Sequence, residues 1–196
     1  MESAGAVSMR FTEAAKHAFV FLEGAGFRLV EAGPSRVRYE SAQSVVAVVW
    51  DARSGEVNVF IGPYSRKGEA NDAFSLTDLL AMEGVDVPER RMPFQVTDEG
   101  KLGSFLEKLA EDTRAHAQQA LAGNPMFFRR LKTFRSMQSQ TYMRGIELQR
   151  VRTEAEKAWQ ERAFDKLIAL YGSIEGELTA SEKAKLTYAR QHLATR

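Results

Sequence analysis

Apolar positions along this chain fall first into a helical rhythm, then into a two-residue alternation, and return to helix for the remaining length. Phe11, Ala14, Ala15, Ala18, Phe19 and Leu22 recur at helical spacing and Gly24 and Gly26 supply a stop, which predicts an amphipathic helix over 11–22. Four runs of strand character follow. The first, 27–31, ends in the turn residues Gly33, Pro34 and Ser35, and the second, 36–41, sets Val37 and Tyr39 against Arg36, Arg38 and Glu40. The third, 45–50, is apolar at every position, as a strand covered on both sides would be. After the turn Arg53-Ser54-Gly55, the fourth, 56–61, alternates Val57, Val59 and Ile61 with Glu56 and Asn58. Connections this short permit only antiparallel neighbours, because a parallel return needs a crossover of about a dozen residues. The expected core joins Val45, Ala47, Val49, Val57, Val59 and Ile61 to Phe19 and Leu22.

Beyond the sheet the pattern predicts helices. The stretch 62–73 is rich in Gly, Pro, Ser, Asn and Asp and reads as a surface loop. Ser75 and Asp78 stand at the N-cap and N3 positions of a short helix with Leu76, Leu79 and Leu80 inward and Gly84 at its end. The segment 85–96, with Pro88 and Pro93, reads as extended or irregular. Thr97 is placed to cap a longer helix whose Leu102, Phe105, Leu106, Leu109, Thr113, Ala117 and Ala120 hold one stripe until Gly123. Asn124 and Pro125 then open a new helix as N-cap and N1. Thr179 and Glu182 form another capping box before a last helix carrying Leu186, Ala189 and Leu193. The expected fold class is α+β: an N-terminal helix, a four-stranded antiparallel meander with flanking helices over 1–123 (1–8 frayed), and a helical tail over 124–196 with a basic amphipathic helix and a C-terminal helical hairpin. On this reading 9–123 folds without the tail.

Composition narrows the picture. The apolar fraction of 44% and charged fraction of 27% in 196 residues are those of a folded globular chain. The sequence has no cysteine, which removes disulfides and thiolate metal sites. The first residues carry Glu2 and no apolar run that would make a signal peptide, and no stretch approaches the ~18 apolar residues of a membrane span. A cytoplasmic protein is expected. The net charge of +1 conceals a segregation: 1–125 holds 13 Lys/Arg against 18 Asp/Glu, whereas 126–152 holds 7 against 1. Such asymmetry points to an acidic partner, or to a basic segment lying on its own acidic body.

Candidate chemistry is sparse. His17, His116 and His192 fall on three separate expected helices, without the convergent donors that zinc requires. No strained G-x-S-x-G elbow is present, and Ser54 sits in a hairpin turn. Gly62-Pro63-Tyr64-Ser65-Arg66-Lys67-Gly68 follows a strand but lacks the Gly-Lys-Ser/Thr order that aims backbone N–H groups at a phosphate. Asp51, Arg53 and Glu56 form either a small polar site at one end of the sheet or a solvated turn. Cofactors, metals and catalytic residues are expected to be absent.

The most informative stretch is 126–152. On a helical wheel Phe127, Leu131, Phe134, Tyr142 and Leu148 share one arc, while Arg129, Arg130, Lys132, Arg144 and Arg150 lie mainly opposite. Those five cations are the candidate partner-binding residues. A basic amphipathic helix can lie along nucleic-acid phosphates, an anionic lipid surface or an acidic protein groove, or simply pack with its cationic face in water.

Val37-Arg38-Tyr39-Glu40-Ser41, Arg53-Ser54-Gly55-Glu56-Val57 ending in Ile61-Gly62, and Phe74-Ser75-Leu76-Thr77-Asp78-Leu79-Leu80, with the tail 171–189, resemble a loosely defined group of small uncharacterised bacterial α+β proteins. The resemblance implies the fold and a bacterial source. With no catalytic set in view, the expected function is a non-enzymatic protein-binding module, an immunity-like or chaperone-like partner. The alternative is a nucleic-acid-associated or regulatory protein that binds a polyanion through 126–152.

Overall fold

The structure, a computed structural model, describes residues 4–51, 53–65, 73–85 and 99–194. The chain divides into two compact units, Met1–Arg135 and Ser136–Arg196.

The first unit is α+β. Helices α1 (Ala4–Ala18) and α2 (Phe21–Gly24) precede strands β1 (Arg28–Ala32), β2 (Arg36–Glu40), β3 (Ser44–Asp51), β4 (Glu56–Pro63) and β5 (Phe74–Ser75). Helix α3 (Leu76–Met82), a 3₁₀ turn at Glu99–Lys101, α4 (Leu102–His116), α5 (Gln118–Leu121) and the start of α6 (Pro125–Gln160) follow. All strand pairs are antiparallel in the order β1-β2-β3-β4-β5. The expected meander is therefore present, with a short fifth strand added where Phe74 pairs with Ile61 and Ser75 with Phe60. Two residues are too few to show an alternation, so β5 has no signature of its own. Two helices also differ from expectation. Helix α1 begins at Ala4, inside the stretch read as frayed, and ends at Ala18, so the helix expected over 11–22 breaks at Phe19–Val20 before α2; the stripe expected to run unbroken to Gly123 is likewise interrupted at Ala117 between α4 and α5. The expected cap Thr97 lies outside the described residues.

The register decides which side of the sheet meets the helices. Val37, Val48 and Val59 stand in one row, and Tyr39, Val46, Ile61 and Phe74 in the next. These side chains are buried in one cluster with Phe11, Ala15, Phe19 and Leu22 of the first helices and Leu102, Leu106 and Leu109 of α4. The phase expected for β3 is therefore reversed: Val46 and Val48 point to this core, whereas Val45, Ala47 and Val49 take the other face, Ala47 between Arg38 and Phe60. Every position in 45–50 is apolar, so alternation gives no phase, and only pairing with β2 and β4 sets it. Trp50 shares the inner phase and its ring lies 5.8 Å from that of Phe11.

Local polar contacts fix the joints. Ser75 accepts from the Asp78 N–H at 3.0 Å and Asp78 accepts from the Ser75 N–H at 3.2 Å, closing the expected capping box of α3. The buried Ser44 hydroxyl donates to the Leu121 carbonyl at 2.6 Å, tying α5 to β3. Asn124 Oδ1 accepts the Met126 N–H at 3.0 Å, the expected N-cap of α6.

Tyr39 is fully buried, and its hydroxyl has no hydrogen-bond partner among the described residues. Burial, reinforced by the charge of Glu23, pushes its pKa from 10.0 up to about 12. The unfolded chain then ionises Tyr39 at lower pH than the folded one. The contribution to stability is complete below pH 10 and is lost as pH rises toward 12, by about 2–3 kcal/mol in all. Tyr39→Phe is expected to leave stability at pH 7 unchanged or up to ~1 kcal/mol higher, because an unpaired hydroxyl is removed. It should also flatten the alkaline decline seen in denaturant melts at pH 10–12.

The second unit is helical: the remainder of α6, α7 (Phe164–Gly172), a 3₁₀ turn at Glu175–Glu177 and α8 (Ala180–Ala194). Val151, Ala155 and Ala158 of α6 pack with Leu167 and Tyr171 of α7 and Leu186 and Ala189 of α8. Thr179 and Glu182 form the expected box, with the Thr179 N–H donating to the Glu182 carboxylate at 2.7 Å and the Glu182 N–H to the Thr179 hydroxyl at 3.3 Å. Desolvation alone would raise the Glu182 pKa, but the Thr179 N–H and hydroxyl together with Arg152 hold it below the usual value.

Candidate functional site

Helix α6 carries all five cations singled out by the sequence, three of them in the first unit and two in the second. Arg129, Arg130 and Lys132 are exposed in the first unit, where Phe127, Phe128 and Leu131 of the same turns are buried in the core. Arg129 and Arg130 make no ion pair among the described residues. Arg144 and Arg150 belong to the second unit and are held by its own acids. Arg144 donates from Nε to Glu177 at 2.9 Å and from Nη1 to Glu147 at 2.8 Å, and these two side-chain bonds raise its pKa. Arg150 pairs with Glu154 at 3.1 Å, one helical turn on. Arg152, Lys185 and Arg190 are likewise matched with Glu182, Glu156 and Glu175. In this unit the basic run is largely a set of intramolecular ion pairs, each exposed one worth ~0–1 kcal/mol.

The single apolar arc expected along 126–152 is also divided. Phe127 and Leu131 are buried in the first unit and Leu148 packs on the core of the second, but Tyr142 faces water. The helical wheel sets Tyr142 on the inward arc, whereas the structure turns it to water together with its neighbours. Tyr142 is 69% exposed, Met143 61% and Ile146 48%, and Met137 is exposed as well. Tyr142 and Ile146 are one turn apart with Met143 beside them, so they lie on adjoining positions of one helix surface. No Asp or Glu occurs in 125–146. The available signal was that Met143 and Ile146 do not belong to the arc containing Leu148; an apolar residue outside the buried stripe is the mark of a second surface.

The other candidates resolve into local structure. Asp51 Oδ1 accepts the Arg53 N–H at 2.8 Å, which holds the carboxyl below its usual pKa, and the Glu56 N–H donates to the Ser54 hydroxyl at 3.4 Å. This is a turn that stabilises itself, with Asp51 opposite Glu56 in the strand register. His17, His116 and His192 lie on α1, α4 and α8, and among the described residues no group of three or more His, Asp or Glu is arranged to hold a metal. Of the loop 62–68, residues after Ser65 lie outside the described residues. Among the described residues no helix is long and apolar enough to cross a membrane.

Comparison with protein-family models, with curated proteins and with solved structures finds no match.

Proposed function

We propose that this chain is a non-enzymatic protein-binding module of the bacterial cytoplasm, an immunity-like or chaperone-like partner, and that it binds through Tyr142, Met143 and Ile146 of α6. The observation that carries this reading is the exposure of these three large apolar side chains on one helix surface. A rigid helix presenting an aromatic, a methionine and a β-branched residue matches the composition of interface centres and of helix-in-groove contacts. With Arg144, the cation beside these side chains, already matched by Glu177 and Glu147, this surface suits a partner that offers an apolar groove. Reading the chain as a non-enzyme rests on residue types: no cysteine, three histidines on three separate helices and no G-x-S-x-G elbow in the sequence.

A second reading, polyanion binding, is favoured by one specific observation, the exposed Arg129 and Arg130 without ion-pair partners among the described residues. It is weakened by the neutralisation of Arg144 and Arg150 within the second unit.

Purification from the native host separates the two. Tyr142→Ser with Ile146→Ser removes the apolar surface and, at exposed positions, is expected to move stability by no more than ~0.5 kcal/mol. The parent chain should bring down a stoichiometric protein, and this variant should lose it. If the bound material is instead removed by nuclease, is retained by the apolar variant and is lost from Arg129→Glu with Arg130→Glu, the protein-binding reading fails and the polyanion reading stands.

A further inference from the structure

The second unit carries a group of rings that the α6 surface does not use. Trp159 in the last turn of α6, Phe164 at the start of α7, and Tyr188 and His192 on α8 form a connected cluster, with ring centroids 5.5 Å apart for Trp159 and Tyr188 and 4.9 Å for Phe164 and His192. Phe164 is core, but Tyr188 is 51% exposed and His192 is exposed, so ring surface is left open to water. A groove of about 740 Å³ lies against these rings, within the usual range of ~300–1,000 Å³ for ligand sites.

Two features at its lip set the charge it accepts. Lys185 Nζ lies 5.5 Å from the Trp159 ring centroid and 2.5 Å from Glu156 Oε2, so its charge is matched internally. Arg162 also lines the groove, is exposed, and makes no ion pair among the described residues. Its backbone is unusual: φ is 56°, the one positive value at a non-glycine residue among those described. The Arg162 N–H donates to the Trp159 carbonyl at 3.1 Å and the Ala163 N–H to the Ala158 carbonyl at 2.8 Å, the paired bonds of a Schellman cap. That cap favours glycine at the left-handed position, because any side chain there meets its own carbonyl. Holding an arginine there strains the backbone at the lip of the groove, and retained strain of this kind is a pointer to use.

We propose that this groove is a peptide-binding site that seats an aromatic side chain of a partner protein against Trp159, Tyr188 and His192, with a neighbouring carboxylate of that peptide held by the Arg162 fork. Aromatic surface takes the ring, and a guanidinium pairs bidentately with a carboxylate. Glu156 at the same groove opposes a polyphosphate, which would bring several negative charges where one cation is free to meet them, so a carboxylate peptide is favoured over a nucleotide. This site is independent of Tyr142, Met143 and Ile146 and stands or falls separately from them.

The test is chemical-shift mapping on the whole chain with three blocked tripeptides, Glu-Phe-Glu, Gln-Phe-Gln and Glu-Ala-Glu, and with adenosine triphosphate. Glu-Phe-Glu should move the Trp159 indole and the Arg162, Tyr188 and His192 amides with a dissociation constant on the order of 1 mM or lower. Both other peptides should bind about tenfold more weakly. Arg162→Gly relieves the strained cap, so it should fold with an equal or higher melting temperature yet lose about tenfold in affinity for Glu-Phe-Glu, and Arg162→Lys should recover part of the loss. Equal binding by Arg162→Gly, equal binding of Gln-Phe-Gln, tighter binding of the nucleotide, or no movement of these resonances up to about 10 mM peptide would each overturn the proposal.

Discussion

Ending the chain after Gly123 is expected to abolish cooperative unfolding, whereas ending it after Arg135 preserves it. The sequence places a domain junction at 123–125, where Gly123, Asn124 and Pro125 stop one helix and start another, and those local signals are correctly read. They do not mark the limit of the core. Phe127, Phe128 and Leu131 lie beyond the junction and are buried among the side chains of the first unit, Phe128 stacked 6.2 Å from Phe74. Each is worth ~1.5–3 kcal/mol on burial, together about 5–9 kcal/mol as an upper estimate. A domain of this size has only ~5–15 kcal/mol of net stability. Removing all three therefore consumes most or all of it, and leaves an apolar opening besides. Thermal melts followed by circular dichroism, with amide dispersion as a second probe, compare fragments 1–123 and 1–135. A sharp transition in 1–123 would show that these residues are dispensable.

Gly123→Ala is expected to be among the most damaging single substitutions in the first unit, costing about 2–4 kcal/mol, while Gly84→Ala costs about 1 kcal/mol. Both glycines have left-handed backbone, φ 68° at Gly123 and 70° at Gly84, so both variants carry the same conformational penalty of ~1 kcal/mol. Their surroundings differ. A Cβ at Gly84 meets nothing within 4 Å. At Gly123 it would stand 2.5 Å from Gln43 Cβ and 2.9 Å from the Gln43 carbonyl oxygen, and a backbone atom cannot swing aside as a side-chain end can. Gln43 lies just before β3, and its carbonyl accepts the Tyr64 N–H at 2.9 Å, so relieving the clash disturbs the end of the sheet where Ser44 holds α5. Denaturant midpoints of the two variants measure the difference directly. Equal losses would mean that the 123–125 turn can move away from β3 without cost.

What was legible in the chain was legible because the signal was local. The alternation of 36–41 and 56–61 and the boxes at Ser75/Asp78 and Thr179/Glu182 depend on neighbours a few residues away and appear in the structure where the pattern put them, and the spacing of Phe11, Ala15, Phe19 and Leu22 marks the buried face although the helix itself breaks at Phe19–Val20. Chain connectivity likewise fixed the antiparallel order of the meander, since connections of three or four residues leave no other option. The candidate site was less legible. Arg144 and Arg150 read as partners for an external anion because acids that hold them, Glu177 for Arg144 and Glu154 for Arg150, lie outside the stretch 126–152 over which the positive charge stands out. The exposed Tyr142, Met143 and Ile146 were hidden by the opposite problem, for in a helix with several wide apolar arcs composition cannot say which residues find a neighbour.

By itself, then, the sequence determined the class of fold, the four strands of the meander and their antiparallel directions, the caps at Ser75, Asn124 and Thr179, and the segregation of charge. Tertiary structure decided the rest, for the most part through contacts between residues remote in sequence. It decided the phase of β3, because six consecutive apolar residues carry no alternation and only the register with Val37, Tyr39, Val59 and Ile61 turns Val46 and Val48 inward. It decided that the core of the first unit extends past Pro125, because Phe127, Phe128 and Leu131 are indistinguishable by pattern from any other start of an amphipathic helix until the surface they meet is known. And it decided which cations are spoken for and which aromatic rings remain open, because charge neutralisation and burial are properties of pairs, and a linear string names only one member of each.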